Sequence, residues 1–115
     1  MDFICFETNH GEQYAIDIRN ILAVVETNNI TSVPGTKPHV VGMFTYLGTL
    51  IPVVDLSIMY AGVPENSNTV IIMEGVNGRS FGLLVDSVGQ VVRGEVPGDV
   101  RFIDSHDFLY DGYDV

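Results

Sequence analysis

No stretch of this chain keeps apolar residues at helical spacing for a dozen positions, and that absence narrows the fold more than any single motif. Short apolar runs recur instead: Phe3–Glu7, Gln13–Ile16, Ile21–Val25, Met43–Tyr46, Leu50–Asp55, Thr69–Glu74, Ser80–Val85 and Val88–Val92. Turn residues separate them, at Asn9-His10-Gly11, Val33-Pro34-Gly35, Leu47-Gly48-Thr49, Asn77-Gly78 and Pro97-Gly98. Asn-Gly between apolar runs is the strongest short hairpin signal, because both central residues of a type I′ turn need positive φ. The reading is an all-β fold of roughly seven to nine strands. Runs that are apolar on both faces and bent at glycines suit small closed or partly closed barrels better than a one-sided sheet.

The stretch Val33–Asp55 organises the rest, with a turn, a crossing segment and an apolar hairpin in 23 residues. Pro52 lies inside the hairpin's second run and cannot donate to a ladder, so that strand is expected at an edge or after a bulge. Asp17 is expected to cap a helical turn over Ile18–Asn20, and Asp55 one over Leu56–Tyr60. Gly82 inside a strand predicts a bend or a close backbone approach. No linker or internal repeat stands out, so residues 1–115 form one domain, with 93–115 as an acidic segment of weaker pattern.

Fifteen acidic residues face five basic ones, for a net charge of −10. Such a surface repels phosphate backbones and anionic lipid, which excludes nucleic acid as the natural partner and favours basic proteins. No run approaches the roughly 20 apolar residues of a membrane helix, so direct membrane insertion is not expected. No secretory leader precedes the first strand, and Cys5 is the only cysteine, so a reducing, cytoplasmic setting is expected.

Catalytic groups are thin. Cys5 has no basic neighbour in sequence to activate it. The glycines Gly35, Gly42 and Gly48 are spaced for turns, with no phosphate-loop Lys-Ser/Thr pair behind them. No cofactor is implied. The alternative chemical reading is the tail, where Asp99, Asp104, His106, Asp107 and Asp111 could gather around Ca²⁺ or Mg²⁺ in a cation-binding protein or metal-dependent enzyme. Charge runs are more often solvated, and the calcium-loop order is missing. An apolar surface remains the better functional lead.

The order of Val33-Pro34-Gly35, Pro38, Gly42, Gly48, Ile51-Pro52-Val53-Val54-Asp55-Leu56 and Gly82-Leu83-Leu84-Val85-Asp86-Ser87-Val88 resembles the CheW-like family of chemotaxis coupling proteins, over roughly Asp2 to Val92. The resemblance implies two small intertwined five-stranded β-barrels and no catalytic activity. It implies a scaffold that couples a chemoreceptor cytoplasmic tip, or a variant input module, to the regulatory domain of a CheA-type histidine kinase in a two-component system. The receptor-binding groove would match Ile21, Gly42, Leu47, Gly48, Thr69, Val70 and Gly82. The kinase-binding surface would match Val25, Ile30 and Thr31.

Two departures stand out. The family usually carries an Arg before the hairpin glycine and a Glu on the third strand; here those positions are Leu47 and Ala23. This turns a polar site apolar and slightly favours an alternative pathway, such as pilus motility or biofilm signalling, over ordinary chemotaxis. The family usually finishes with another strand and a short helix. Here Phe108–Tyr110 would supply a shortened version or leave one barrel open, and an open edge invites self-association.

Overall fold

The computed structural model describes residues 1–32, 38–75 and 78–108, with the side chain of His106 excepted. Alternation in two adjacent strands decides the architecture. In Thr69–Glu74, Val70 and Ile72 point into one core while Ile71 and Met73 point into another. A strand apolar on both faces must be covered on both.

Nine strands carry the described chain: β1 Asp2–Glu7, β2 Gln13–Asp17, β3 Ile21–Glu26, β4 Val40–Tyr46, β5 Thr49–Asp55, β6 Thr69–Glu74, β7 Ser80–Val85, β8 Ser87–Arg93 and β9 Arg101–Phe102. Helix α1 spans Leu56–Ala61, and 3-10 turns cover Ile18–Asn20 and Ser105–Phe108. The strands form a five-stranded sheet in the order β3-β6-β7-β5-β4 and a four-stranded sheet in the order β8-β1-β2-β9. After β3 the chain reaches Thr31, which bridges Met43 of β4 through bonds of 2.9 and 2.8 Å. That bridge joins the far edge of the five-stranded sheet back to the segment leaving its near edge.

The all-β reading therefore holds, and the strands fall close to the apolar runs. The larger core lies between the sheets, with Phe6, Tyr14, Ile16, Ile71, Met73, Phe81 and Leu83 all buried. A smaller core fills the curl of the five-stranded sheet: Ile51, Val53, Val70, Ile72 and Leu84, flanked by Val25, Ile30, Val41 and Phe44.

Two caps behave as their sequences imply. The Asp17 carboxylate accepts from Arg19 N at 2.9 Å and opens the first 3-10 turn. The buried Asp55 carboxylate accepts from Ser57 N and Ile58 N at 2.9 and 3.2 Å, and its second oxygen from Glu65 N at 2.9 Å. Pro52 departs from expectation, because β5 lies inside its sheet, between β7 and β4. Opposite Pro52, Met43 spends both its N–H and its C=O on Thr31, so the pair exchanges no ladder bond and the Pro52 nitrogen faces the β7 side. The ladder with β7 starts one residue later, at Val53↔Gly82, so no donor is missed. The turns at Val33-Pro34-Gly35 and the Asn77 half of the second hairpin lie outside the described residues.

The two sheets repeat one plan. In the hairpin β6–β7, Ile71↔Leu83 and Met73↔Phe81 correspond to Ile4↔Ile16 and Phe6↔Tyr14 of β1–β2, and all but the half-buried Ile4 are fully buried. Both hairpins turn through a left-handed glycine, Gly78 at φ 79° and Gly11 at φ 81°, each donating 3.1 Å back to a carbonyl three residues earlier. Each has an antiparallel edge strand with a bulge, β3 on β6 and β8 on β1. Each has a parallel strand on the other side that leads to a helical turn, β5 beside β7 and β9 beside β2.

Candidate functional site

Strand β3 alternates in burial. Ile21, Ala23 and Val25 pack inward, while Leu22 and Val24 stand 48% and 44% exposed on the outer face of an edge strand. At the same end of the sheet the β4–β5 hairpin turns through Leu47 and Gly48. Both have positive φ, 48° and 79°, the signature of a type I′ turn. Leu47 is 86% exposed and Leu50 62%, so the hairpin tip presents two leucines to water. The sequence pointed to Ile21, Val25, Ile30, Met43, Phe44 and Val70 as candidates for exposed apolar surface. Val70 is buried and the others are half-buried; the exposed side chains here are these four, of which only Leu47 was singled out in the sequence. Ile21–Val25 is apolar at every position, so the sequence alone does not say that Leu22 and Val24 are the exposed face.

The sequence-derived groove residues do not share one surface. Ile21 packs against the core between the sheets. Val70 is fully buried in the smaller core, and a Cβ on Gly82 would lie 2.6 Å from its Cγ1. Gly42 is buried beneath the returning chain, where a Cβ would lie 2.3 Å from the Thr31 carbonyl oxygen. Thr69 starts β6 opposite Glu26, half-buried at the other end of the sheet from Leu47 and Gly48. The kinase-facing set is tighter: Val25 lies across from Val70, Ile30 packs on the smaller core, and Thr31 is exposed beside Gly42. Gly42, Val70, Gly82, Val25 and Ile30 thus belong to one neighbourhood, joined from within.

The described side chains do not assemble a reaction centre. Asp55 is spent on three backbone N–H groups. Glu65 is buried and accepts from Asn9 N at 3.0 Å; desolvation, opposed by that bond and aided by Asp55 and Asp86, raises its pKa. Burial first, and then Glu12, raise the Tyr14 phenol. The Arg19 guanidinium holds the Asp17 carboxyl below its ordinary range. In the tail Asp107 accepts from Asp104 N at 3.0 Å and Asp99 lies in the Pro97–Val100 turn. Among the described residues no three Asp, Glu, His or Cys side chains gather as a cation site. The His106 side chain and Asp111 lie outside them.

Residues 2–96 match the CheW-like domain. A chemotaxis protein CheW of Klebsiella aerogenes is 30% identical over 93 residues, which cover 79% of this chain and 55% of that protein. One from Thermotoga maritima is 33% identical over 93 residues, 80% of this chain and 61% of the relative. The crystal structure of the scaffolding protein TtCheW from Thermoanaerobacter tengcongensis aligns with a TM-score of 0.70 at 32% identity, over 79% of this chain and 63% of that one. The chain spans little more than half the length of the curated relatives it matches. Two sheets joined through a shared core accord with those matches, and the chain belongs to the CheW-like domain family.

Proposed function

We propose that this protein is a non-catalytic adaptor that couples a signalling input, a chemoreceptor tip or a variant of one, to the regulatory domain of a CheA-type histidine kinase in the cytoplasm. The observation that carries the reading is a set of exposed apolar side chains on an acidic chain. Leu22 and Val24 on β3, and Leu47 and Leu50 at the β4–β5 hairpin tip, are exposed, while the sheet that carries them is anchored in a packed core. Exposed apolar groups on a rigid frame bind partners at a lower ordering cost, which suits a scaffold. The net charge of −10 favours basic partner surfaces.

In this reading the input module docks on the Leu47-Gly48 hairpin tip, and the kinase meets exposed Thr31 with Val25 and Ile30 beside it. Gly42, Val70 and Gly82 support the kinase-side surface from within, while Ile21 packs inward and Thr69 lies at the far end of the sheet, so neither joins the input surface. Leu47 and Ala23 replace a charged pair with apolar contact, so the input surface fits an apolar partner side chain better than a polar one.

Calorimetric titration into an isolated CheA-type regulatory domain tests it. Micromolar binding is expected, weakened at least tenfold by Thr31→Asp, whose exposed side chain can change while its backbone bridge remains. Titration of a receptor-tip helical hairpin should respond to Leu47→Asp and not to Thr31→Asp. If neither partner binds at high micromolar concentration, the adaptor reading fails.

A further inference from the structure

The correspondence between the two sheets breaks at one place. In the five-stranded sheet β5 is flanked by β7 on one side and β4 on the other; in the four-stranded sheet β9, the counterpart of β5, has β2 on one side and no strand on the other among the described residues. The described connections differ in length. Residues 27–48 separate β3 from β5 and contain β4, whereas only residues 94–100 separate β8 from β9.

Side-chain exposure marks the same vacancy. Val53 of β5 pairs with Gly82 and is fully buried, because Val41, Phe44 and Tyr46 of β4 close over the smaller core. Its counterpart Phe102 pairs with Ala15 and is 40% exposed. On the same face Val92, opposite Phe3, is 43% exposed and Cys5 is half-buried. Two cavities complete the comparison. One of about 500 Å³ lies among Thr49–Pro52 and Gly78–Ser80, with Met43 of β4 as a wall. The other, about 560 Å³, lies among the corresponding residues Gly11–Gln13 and Gly98–Arg101, with no strand in Met43's place among the described residues.

We propose that the outer edge of β9 is a strand-acceptor site, occupied by an extended basic segment of a partner protein that runs antiparallel to β9. The Ile103 N–H bonds the Ala15 carbonyl at 3.0 Å, so by alternation the Phe102 N–H points away from β2, toward the vacancy. An added strand pairs with it and covers Phe102 and Val92 with its inward-facing apolar side chains. Charge selects the occupant. Glu12 and Asp99 line the cavity, and Arg101, its one cation among the described residues, sits 4.3 Å over the Tyr60 ring. A second copy would bring another ten negative charges, whereas lysines or arginines on a partner strand complement the site.

The test uses the full chain and a synthetic peptide carrying the β4 sequence VVGMFTY between paired lysines. Amide NMR should show saturable shifts confined to residues 11–15 and 98–103, and the Phe102 amide should exchange at least tenfold more slowly with peptide bound. Phe102→Asp should weaken the peptide at least tenfold, and Leu22→Asp should leave it unchanged, which separates this edge from the adaptor surface. No shifts at roughly 1 mM peptide overturn the proposal. So does slow exchange at Phe102 in the free chain, which would mean that the chain fills its own edge. So does a dimer in sedimentation that Phe102→Asp dissociates, or equal binding by a peptide with glutamates in place of the lysines.

Discussion

Gly82→Ala is the sharpest probe of the smaller core, because a single methyl group stands in its way. The added Cβ would lie 2.6 Å from Val70 Cγ1, while the next neighbours, Val53 Cγ2 and Ile72 Cδ1, are at ordinary contact distances of 3.5 and 3.7 Å. Relieving that overlap needs a shift of about 1 Å, in the range where overpacking costs about 1–3 kcal/mol. The unfolded chain also loses freedom, which returns about 0.5 kcal/mol, so the net loss is about 1–2 kcal/mol. Val70→Ala alone empties two methyl groups from a fully buried site and costs about 2 kcal/mol. In the double variant the methyl that clashes is gone, and the methyl introduced by Gly82→Ala refills part of the space. Its loss should be about 2 kcal/mol against an additive expectation of about 3–4, a coupling of about 1.5 kcal/mol. At the unfolding entropy usual for a domain of 115 residues, that is about 6 °C in Tm.

Urea denaturation of the four proteins by circular dichroism reads the cycle. Additivity within about 0.4 kcal/mol would refute the stated contact. Gly42→Ala is the contrast. Its obstacles are the Thr31 carbonyl oxygen and carbon, at 2.3 and 2.8 Å, so no side-chain trimming can make room. The two Thr31–Met43 bonds must give way, at about 1 kcal/mol each plus the strain, for a loss near ~3 kcal/mol that Ile30→Ala does not rescue.

Leu47→Asn should raise Tm by up to about 4–8 °C, because Asn tolerates the left-handed φ of 48° that costs a leucine about 1–2 kcal/mol, and Leu47 is too exposed to lose packing. Glu65→Gln should stabilise the protein at pH 7. Burial raises the folded-state pKa of Glu65 above its unfolded value, so its favourable contribution is complete below the unfolded pKa and is lost as pH rises through the folded one. Thermal melts from pH 4 to 7.5 should show the wild type and the Gln variant converging at the acid end; a constant gap would refute the assignment. Asp55→Ala strands three backbone N–H groups, two of them at the start of α1, and should cost about 3 kcal/mol by chemical denaturation.

The strands were legible because each obeys a local rule. Thr69–Glu74 and Ser80–Val85 fall where the Asn-Gly hairpin signal puts them, and Asp17 and Asp55 cap the turns that follow them. Pro52 was misread because the sequence shows that a donor is missing, but not which neighbour would have needed it; the late start of the β5–β7 ladder supplies the answer. The repeat of one plan in both sheets was invisible for a related reason. Its halves are interleaved along the chain, with β1, β2, β8 and β9 enclosing β3 to β7, and what they share is burial at matched positions, Ile71 with Ile4 and Phe81 with Tyr14, rather than identity.

The site was harder to read than the fold because a missing Cβ has two uses that look alike in sequence. Gly82 stood out as a bend or a close backbone approach and Gly42 only as a turn glycine; in the structure both are crowded, Gly82 by a side chain and Gly42 by backbone. The approaching groups are the chain's own Thr31 and Val70. A partner strand or helix would demand the same glycine, so only the neighbour separates scaffold from contact. Exposure divides the apolar residues in the same way. Val70 is buried in the smaller core, across from Val25 of β3, while Leu22, Val24, Leu47 and Leu50 are exposed on the sheet that this core holds rigid. A rigid core beneath an apolar surface lowers the cost of binding at that surface. Loosening the core by Val70→Ala should therefore weaken partner binding far less than it weakens folding, and Leu47→Asp should do the reverse.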